Sequence, residues 1–246
     1  MTISGFDWRL SSGIASLGNS CVLLLVLGCF PLVIRWSGAP SLPEMSPQDA
    51  QHTYVYVKAC LSLTAFLWIC FGIAVSGMRR RGVVRWRDLV GAKWNRWQAV
   101  AIDIGIACAT LVVMGVIGSA SNALLGPLQQ ETPVFRAIVS PQNSLEALAF
   151  LASALTAGFV EEFVFRGYLQ RQCQALLGNA ILASALQVII FTAGHIYQGW
   201  TRLIPVLLIG IVLTVVALWR KSLLPGMMAH GAGDGLVAFL FFAKHL

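Results

Sequence analysis

The stretch LEALAFLASALTAGFVEEFVFR, residues 145–166, decides the architecture of this chain. Its side chains are mostly apolar, and its length suits a helix that crosses the hydrocarbon, which needs about 20 residues. Two adjacent carboxylates, Glu161 and Glu162, lie within the run. Ionisable groups at membrane depth are energetically costly and are found mainly at functional sites. The stretch therefore predicts a transmembrane helix that carries reactive groups.

The composition of the whole chain agrees with a membrane protein. Hydrophobic residues make up 57% of the 246 residues and charged residues only 11%, whereas an average soluble domain is about 25% charged. Segments of alternating polarity, which would indicate a transmembrane barrel, are absent from the sequence. We therefore predict an all-α fold, a polytopic transmembrane helical bundle that forms a single integral membrane domain over residues 1–246.

Apolar runs of spanning length predict about seven transmembrane helices. The long third run contains Gly118 and Asn122, and a break near either residue would make eight membrane segments. The predicted runs lie near residues 14–36, 54–77, 98–126, 145–168, 179–198, 202–219 and 223–243.

The net charge of +7 is interpreted through the position of the basic residues. Short basic loops stay on the cytoplasmic side of a membrane. They place the N-terminus in the cytoplasm, favour a prokaryotic inner membrane, and make nucleic acid an unlikely partner. The basic cluster between the second and third runs comprises Arg79, Arg80, Arg81, Arg85, Arg87, Lys93 and Arg96.

The cysteine spacing argues against a metal knuckle, and the N-terminal residues argue against a removable signal sequence. The six cysteines show no Cys-x-x-Cys spacing, so we interpret them as small buried hydrophobic residues, not as a metal knuckle. The first dozen residues contain Asp7 and Arg9, and no convincing small-residue cleavage site follows. We therefore predict no removable signal sequence.

The fourth run carries a potential ion pair beside a potential base. Glu162 and Arg166 are four residues apart, with the acid first, which is the favourable order for a helical pair. Glu161 is rotated about 100° from Glu162 on a helix, so it is the freer carboxylate and the better candidate for a general base. The alternative is that both acids are structural and hold Arg166 or a neighbouring helix.

The fifth run brings His195 to the same level as Glu161. Gly178 and Asn179 form a plausible turn between two antiparallel helices, and residues 161 and 195 are equidistant from Gly178. Phe191 precedes His195 by one turn and is expected to wall the site. The polar tip of the hairpin, residues 167–179, is expected to project into the cytoplasm. As an alternative, His195 is a buried hydrogen-bonding group without a catalytic role.

The seventh run places His230 and Asp234 on one face of a helix. The glycines around this pair allow another helix or an extended substrate to approach closely. Tight glycine packing with an interhelical His–Asp bond explains the pair equally well. We assign no role to the remaining candidates: Lys58 and Asp103, which lie near predicted span ends, and His52 and His245, which lie in predicted loop or terminal regions.

Together these three motifs resemble the signature of one known family. The family is CPBP, the CAAX-protease and bacteriocin-processing (Abi) intramembrane proteases, which are related to type II CAAX prenyl endopeptidases. The resemblance covers residues 144–243, which we expect to form the catalytic core. It is carried by Glu-Glu-x-x-x-Arg at Glu161, Glu162 and Arg166, by Phe-x-x-x-His at Phe191 and His195, and by His-x-x-x-Asp at His230 and Asp234.

The resemblance implies an endopeptidase in which Glu161 and His195 activate a water molecule. His230 and Asp234 would complete the site as metal ligands or as stabilisers of the oxyanion. Family members often have Asn in place of Asp234. Because an ionised Asp cannot donate a hydrogen bond, the departure makes His230 the expected donor here.

Metal dependence stays open at this point. A glutamate-dependent mechanism without a required cofactor is slightly favoured. The alternative is a zinc ion held by Glu161, His195 and His230, in which case Glu162 would have to act as the base.

The expected partners are the lipid bilayer and a protein or peptide substrate, prenylated or not. Two other functions remain possible for the same residues. A proton- or cation-coupled transporter also uses intramembrane acids and histidines. A non-catalytic membrane scaffold or immunity protein would retain them as an interhelical polar network.

Overall fold

The structure is a computed structural model that describes residues 13–46, 49–82, 85–91, 94–126 and 131–245. Within these ranges every regular element is a helix. Residues 1–12, Lys93 and the side chain of His245, on which some of the predictions depend, lie outside the described part. The predicted orientation of the bundle therefore stays a prediction.

Six α-helices form the first half of the chain, together with a 3₁₀-helix at Ala39–Glu44. They are α1 (Leu17–Gly28), α2 (Phe30–Ser37), α3 (Ala50–Arg81), α4 (Trp86–Val90), α5 (Trp97–Leu125) and α6 (Pro133–Ile138).

The second half contains the three predicted motifs. Its helices are α7 (Ser144–Glu161), a π-helical segment (Glu162–Leu169), α8 (Gln170–Leu177), α9 (Ala180–Gly194), α10 (Leu203–Arg220) and α11 (Leu224–His245), with 3₁₀-helices at Ile196–Gln198 and Trp200–Arg202.

Five helical stretches in the described residues are long and apolar enough to cross a membrane. They are Leu17–Glu44, Ala50–Arg81, Trp97–Leu125, Ser144–Leu177 and Trp200–Arg220, and α9 is apolar but shorter. The all-α transmembrane prediction is confirmed, whereas the count of seven to eight spans is not. The suggested break near Gly118 or Asn122 is wrong, because α5 runs through both residues.

The lipid-facing surface is as apolar as a membrane protein requires. Large hydrophobic side chains stand fully on the outside of several helices, including Leu25 on α1, Leu124 on α5 and Ile181 on α9. In water such a surface would mark an aggregation-prone patch. In a bilayer these side chains contact lipid tails, which are themselves apolar, so their exposure carries no penalty.

The predicted hairpin is present and closes where the sequence placed it. Gly178 adopts φ +64 and ends α8, a left-handed conformation that costs glycine little. The Asn179 side chain then caps α9 by accepting from the main-chain N–H groups of Ile181 and Leu182 at 2.9 and 3.1 Å. The chain therefore reverses direction between α8 and α9.

The predicted projecting tip, residues 167–179, is only partly exposed: residues 176–179 at the turn are exposed, but polar residues before them are enclosed. Gln170, Arg171 and Gln172 are all buried. The Gln172 amide accepts from the main-chain N–H of Ala15 at 3.2 Å and donates to the Ala15 carbonyl at 2.9 Å. Gln172 is thus packed against the start of the described chain. Its two amide hydrogen bonds replace those it would make to water.

α7 lies at the centre of the bundle, between α3 and α11. Its crossing with α11 depends on small residues. A Cβ on Gly158 would overlap the backbone of Gly231 and lie 2.9 Å from the Met227 carbonyl oxygen. α11 in turn contacts α5 and α10. This close crossing brings the motif of α11 against the motif that follows α7.

Asp103, near the start of α5, is enclosed by other side chains. It is 2% exposed. Its carboxylate accepts from Trp94 Nε1 at 2.8 Å and from Arg220 Nε at 2.6 Å. The pair with Arg220 joins the first turns of α5 to the end of α10.

His52 lies in the first turn of α3 and not in a loop, which corrects a second placement. Its Nδ1 donates to Glu146 Oε1 at 3.1 Å. Glu146 is fully buried and also accepts from Thr53, Asn143 and the main-chain N–H of Gln142, at 2.8, 3.0 and 2.8 Å. These bonds join the starts of α3 and α7 on the side of the bundle opposite Arg79–Arg81.

Candidate active site

The two glutamates lie at a change of helix type. Glu161 is the last residue of α7, and Glu162 begins the π-helical segment. In a π-helix each N–H bonds to the carbonyl five residues earlier, so the turn is wider than in an α-helix, and such segments occur frequently at functional sites. The sequence contains no periodic signal for this change, and we did not predict it.

Glu162 is committed to an enclosed ionic network. Its Oε1 accepts from Arg166 Nη1 at 2.9 Å and from His230 Nδ1 at 3.0 Å. The Glu162 and Arg166 side chains are 0% and 1% exposed. The predicted pair between Glu162 and Arg166 is confirmed, and Oε1 of Glu162 is occupied by both of its partners.

Arg166 is held on its remaining sides by other elements. Its Nη2 donates to the Gly210 carbonyl on α10 at 3.2 Å. Its guanidinium carbon lies 4.2 Å from the centroid of the Phe191 ring on α9, a favourable cation–π distance. Arg166 therefore connects the π-helical segment to both helices.

His230 lies between two carboxylates. Its Nδ1 binds Glu162, and its Nε2 lies 3.4 Å from Asp234 Oδ2. Ionised carboxylates only accept hydrogen bonds, so His230 satisfies both partners when each ring nitrogen carries a proton. The predicted His230–Asp234 pair is present, but the contact of His230 with Glu162 was not predicted.

His195 follows α9 as its C-terminal cap residue, although the sequence placed it inside a spanning run. Its Nδ1 lies 2.8 Å from the Phe191 carbonyl oxygen. Because a carbonyl only accepts, Nδ1 carries the proton. Nε2 of the neutral ring then presents a lone pair. This spacing explains why Phe191 and His195 act together: one residue supplies the acceptor that orients the other.

Glu161 faces His195, as the hairpin predicted. The closest atoms, Glu161 Oε2 and His195 Nε2, are 3.9 Å apart, which is too long for a direct hydrogen bond. The Glu161 side chain is 14% exposed and that of His195 is 18% exposed. Oε2 itself is enclosed and accepts no hydrogen bond from any residue that the structure describes. The Glu161 side chain is thus partly exposed and its Oε2 is uncommitted, whereas Oε1 of Glu162 is bound to two partners.

The Phe191 ring is a neighbour of both His195 and His230. Its ring centroid lies 4.6 Å from that of His195 and 6.2 Å from that of His230. Glu161 is also within the electrostatic field of His230 and Asp234. The three motifs therefore meet around Phe191, as a Glu161–His195 pair and a Glu162–Arg166–His230–Asp234 network.

The three residues named as a possible zinc set do not present a common set of free donor atoms. Within the described ranges, no three His, Cys, Asp or Glu side chains are arranged to hold a metal ion. The cause is visible at His230, whose two ring nitrogens face Glu162 and Asp234. A metal ligand would need one of these nitrogens with its lone pair free.

Tyr197 is a neighbour of the site that the sequence analysis missed. Its ring is stacked on His195 at a centroid distance of 6.3 Å and an interplanar angle of 30°. The only signal in the sequence was its position two residues after His195. We had placed both residues inside one membrane span, where neighbours at that spacing do not share a face.

Comparison with known families finds a match over the segment that carries the three motifs. Residues 143–236 match the family described as Type II CAAX prenyl endopeptidase Rce1-like. The match supports assignment of this segment to the CAAX-protease family. The matched segment is less than half of the chain, but it contains all six predicted site residues. The match supports an intramembrane CAAX-type protease in general. No curated protein and no solved structure matches the chain.

Proposed function

We propose that the protein is an intramembrane endopeptidase that hydrolyses a peptide bond of a membrane-associated protein or peptide. The observation that carries the proposal is the 3.9 Å separation between His195 Nε2 and Glu161 Oε2, which accepts no hydrogen bond from the described residues. A separation above about 3.5 Å suits two groups that share a bridging water. Because no described residue donates a hydrogen bond to Glu161 Oε2, Glu161 can act as the base for that water.

The reaction follows from the positions of these groups. The bridging water donates to the Glu161 carboxylate and to His195 Nε2, which directs an oxygen lone pair at the substrate carbonyl. Glu161 takes one proton as the water oxygen bonds to the carbonyl carbon and the C=O electron pair moves to the oxygen. When the C–N bond breaks, the protonated Glu161 returns the proton to the leaving amine. The products are one carboxyl group and one amine.

The enclosed network supports this chemistry without taking part in proton transfer. Glu162 and Arg166 neutralise each other, and the contact of Glu162 with His230 holds α11 against the π-helical segment. Fixed charges in a site that excludes bulk water act more strongly than they would in water. We propose that this network sets the electrostatic field at the scissile bond.

The mechanism that we propose requires no metal. It uses a carboxylate base and a neutral imidazole, and the imidazole is oriented by the Phe191 carbonyl. We expect purified protein to keep its peptidase activity after dialysis against a chelator. Loss of activity on chelation that zinc restores would contradict the metal-free mechanism and leave the peptidase assignment in place.

The decisive experiment compares wild-type protein with Glu161→Gln. Both are reconstituted in proteoliposomes with a library of membrane-associated peptides, and cleavage products are identified by mass spectrometry. We expect Glu161→Gln to abolish cleavage with unchanged thermal stability, because Glu161 makes no structural hydrogen bond in the described part of the chain. Glu44→Gln is the matched control, since Glu44 is exposed on a 3₁₀-helix away from the site. Equal cleavage by wild type and Glu161→Gln would refute the proposal.

A further inference from the structure

The site needs a hydrogen-bond donor that the predicted residues do not supply. A tetrahedral intermediate carries negative charge on the former carbonyl oxygen, and preformed donors stabilise that charge. His230 is engaged with Glu162 at one ring nitrogen and lies against Asp234 at the other. An ionised Asp234 has no proton to donate. His230 could serve the oxyanion only by giving up one of these carboxylate contacts.

Tyr197 carries a phenol O–H next to His195. Its ring is stacked on His195, and its hydroxyl group lies within the electrostatic field of both Glu161 and Asp234. The side-chain amide of Gln198 donates to the phenol oxygen at 3.4 Å. That bond uses a lone pair, so the O–H proton stays available. Burial raises the pKa of Tyr197 to about 12, so the phenol is protonated at neutral pH.

Tyr197 is also held in place before any substrate arrives. Thr132 Oγ1 donates to the Tyr197 carbonyl at 2.6 Å, and the Thr132 N–H donates to the Gln198 carbonyl at 3.2 Å. The Tyr197 ring packs against Phe30 and Phe135 at centroid distances of 5.3 and 6.3 Å. The segment before α7 therefore fixes the backbone, and together with Phe30 of α2 it fixes the ring, as electrostatic preorganisation requires.

We propose that Tyr197 is a catalytic residue that donates its O–H to the substrate carbonyl oxygen as this oxygen becomes an oxyanion. The inference rests on the proposed peptidase function. The C=O electron pair moves to oxygen when the water adds, and it returns when the C–N bond breaks. Tyr197 keeps its proton throughout, so proton transfer still runs from water through Glu161 to the amine.

The first test is Tyr197→Phe, which retains the ring contacts and removes only the hydroxyl. We expect kcat to fall by about 10²- to 10³-fold, the loss typical for one oxyanion donor, with KM changed by less than about threefold. The matched control is Tyr54→Phe, since Tyr54 is 66% exposed on α3, and its kcat should equal that of wild type. A kcat for Tyr197→Phe within about threefold of wild type would overturn the inference. So would a fall in kcat/KM of the predicted size that comes entirely from a raised KM.

A second test keeps the hydroxyl group and therefore protects against a folding defect in Tyr197→Phe. A fluorinated tyrosine at position 197 lowers the pKa of the phenol without removing it. If the phenol must be protonated, the alkaline limb of the kcat profile should move to lower pH. An unmoved alkaline limb would contradict the donor role, because a purely structural tyrosine does not couple its ionisation to kcat.

Glu161→Gln in the same assay separates this inference from the proposed function. If wild type cleaves the library and Glu161→Gln does not, the peptidase assignment holds. Wild-type activity in Tyr197→Phe would then reject only the donor role. If wild type and Glu161→Gln cleave equally, the proposed function fails and the donor role fails with it.

Discussion

Glu161 and Glu162 are neighbours in the chain, yet the structure assigns them opposite environments. Glu162 is enclosed and bound to Arg166 and His230, whereas Glu161 is partly exposed and faces His195 across 3.9 Å. The difference is set by partners, because Glu162 Oε1 accepts two structural hydrogen bonds and Glu161 Oε2 accepts none from the described residues. At the scale of single residues, function therefore depends on which carboxylate remains without a structural bond.

Arg166→Leu is expected to be strongly destabilising. It leaves Glu162 buried with one cationic partner instead of two, and breaking a buried pair costs about 3–5 kcal/mol. We expect the double variant with Glu162→Gln to recover part of the loss in free energy of unfolding, measured by reversible denaturation in mixed micelles. Arg85→Leu is the control, because the Arg85–Asp88 pair lies at the surface and its removal should leave the unfolding curve unchanged. Additive losses in the double variant would contradict the coupling.

His195→Asn tests the imidazole without removing its anchor. The Asn amide can donate to the Phe191 carbonyl as Nδ1 does, but it has no acceptor in the position of Nε2. We expect kcat to fall by about 10²- to 10⁴-fold, the usual contribution of a positioned acid–base group. Thr192→Ala on the same helix should keep full activity, since the Thr192 hydroxyl bonds only within α9 among the described residues. Retained activity in His195→Asn would exclude Nε2 from the reaction.

At the scale of helices, the crossing of α7 and α11 assembles the site. Gly158 and Gly231 let the two backbones meet, and α11 carries His230 to Glu162. Directly after this crossing, α7 changes into the π-helical segment that holds Glu162 and Arg166. The close glycine crossing and the change to a π-helix together bring residues of separate motifs into contact.

Gly158→Ala is expected to separate the two helices. Its Cβ would overlap the Gly231 backbone, and an overpacked site of this kind costs about 1–3 kcal/mol. Displacement of α11 should also lower kcat, because His230 moves with it. The control is Gly115→Ala on α5, where a Cβ would meet nothing within 4 Å and better helix propensity adds up to about 1 kcal/mol. Peptidase rates and unfolding curves that are the same for both variants would contradict the role of the crossing.

At the scale of the whole molecule, two ends of the bundle differ in charge and in hydrogen bonding. One end carries the exposed cluster Arg79–Arg81. The other end carries the 3₁₀-helix Ala39–Glu44 and the buried bonds between His52 and Glu146. Short basic segments are retained in the cytoplasm, so the charge difference predicts a single orientation in the membrane.

The orientation is testable by labelling in intact cells. In a variant without the native cysteines, Ser41→Cys should react with a membrane-impermeant maleimide, whereas Arg80→Cys should react only after the cells are permeabilised. Both positions are exposed, so accessibility within the protein does not explain a difference. The reverse labelling pattern would show that the bundle is inserted with the opposite orientation.

The sequence by itself determined the membrane class, the three motifs and the register of the hairpin. Apolar run length reports transmembrane helices directly, and the turn at Gly178 set the levels of Glu161 and His195 through local geometry alone. The ion pair between Glu162 and Arg166 was predictable for the same reason, since residues four apart on a helix are neighbours. Each of these features depends on residues that are close in the chain or on composition.

Only the tertiary structure decided how the motifs combine. The contact of His230 with Glu162 joins residues 68 positions apart. It depends on how closely the α7 and α11 backbones approach at Gly158 and Gly231, which no local sequence pattern predicts. The π-helical segment, the end of α9 before His195 and the stacking of Tyr197 on His195 were missed for a related reason. Each is set by packing between helices, and periodicity in one segment carries no information about its neighbours.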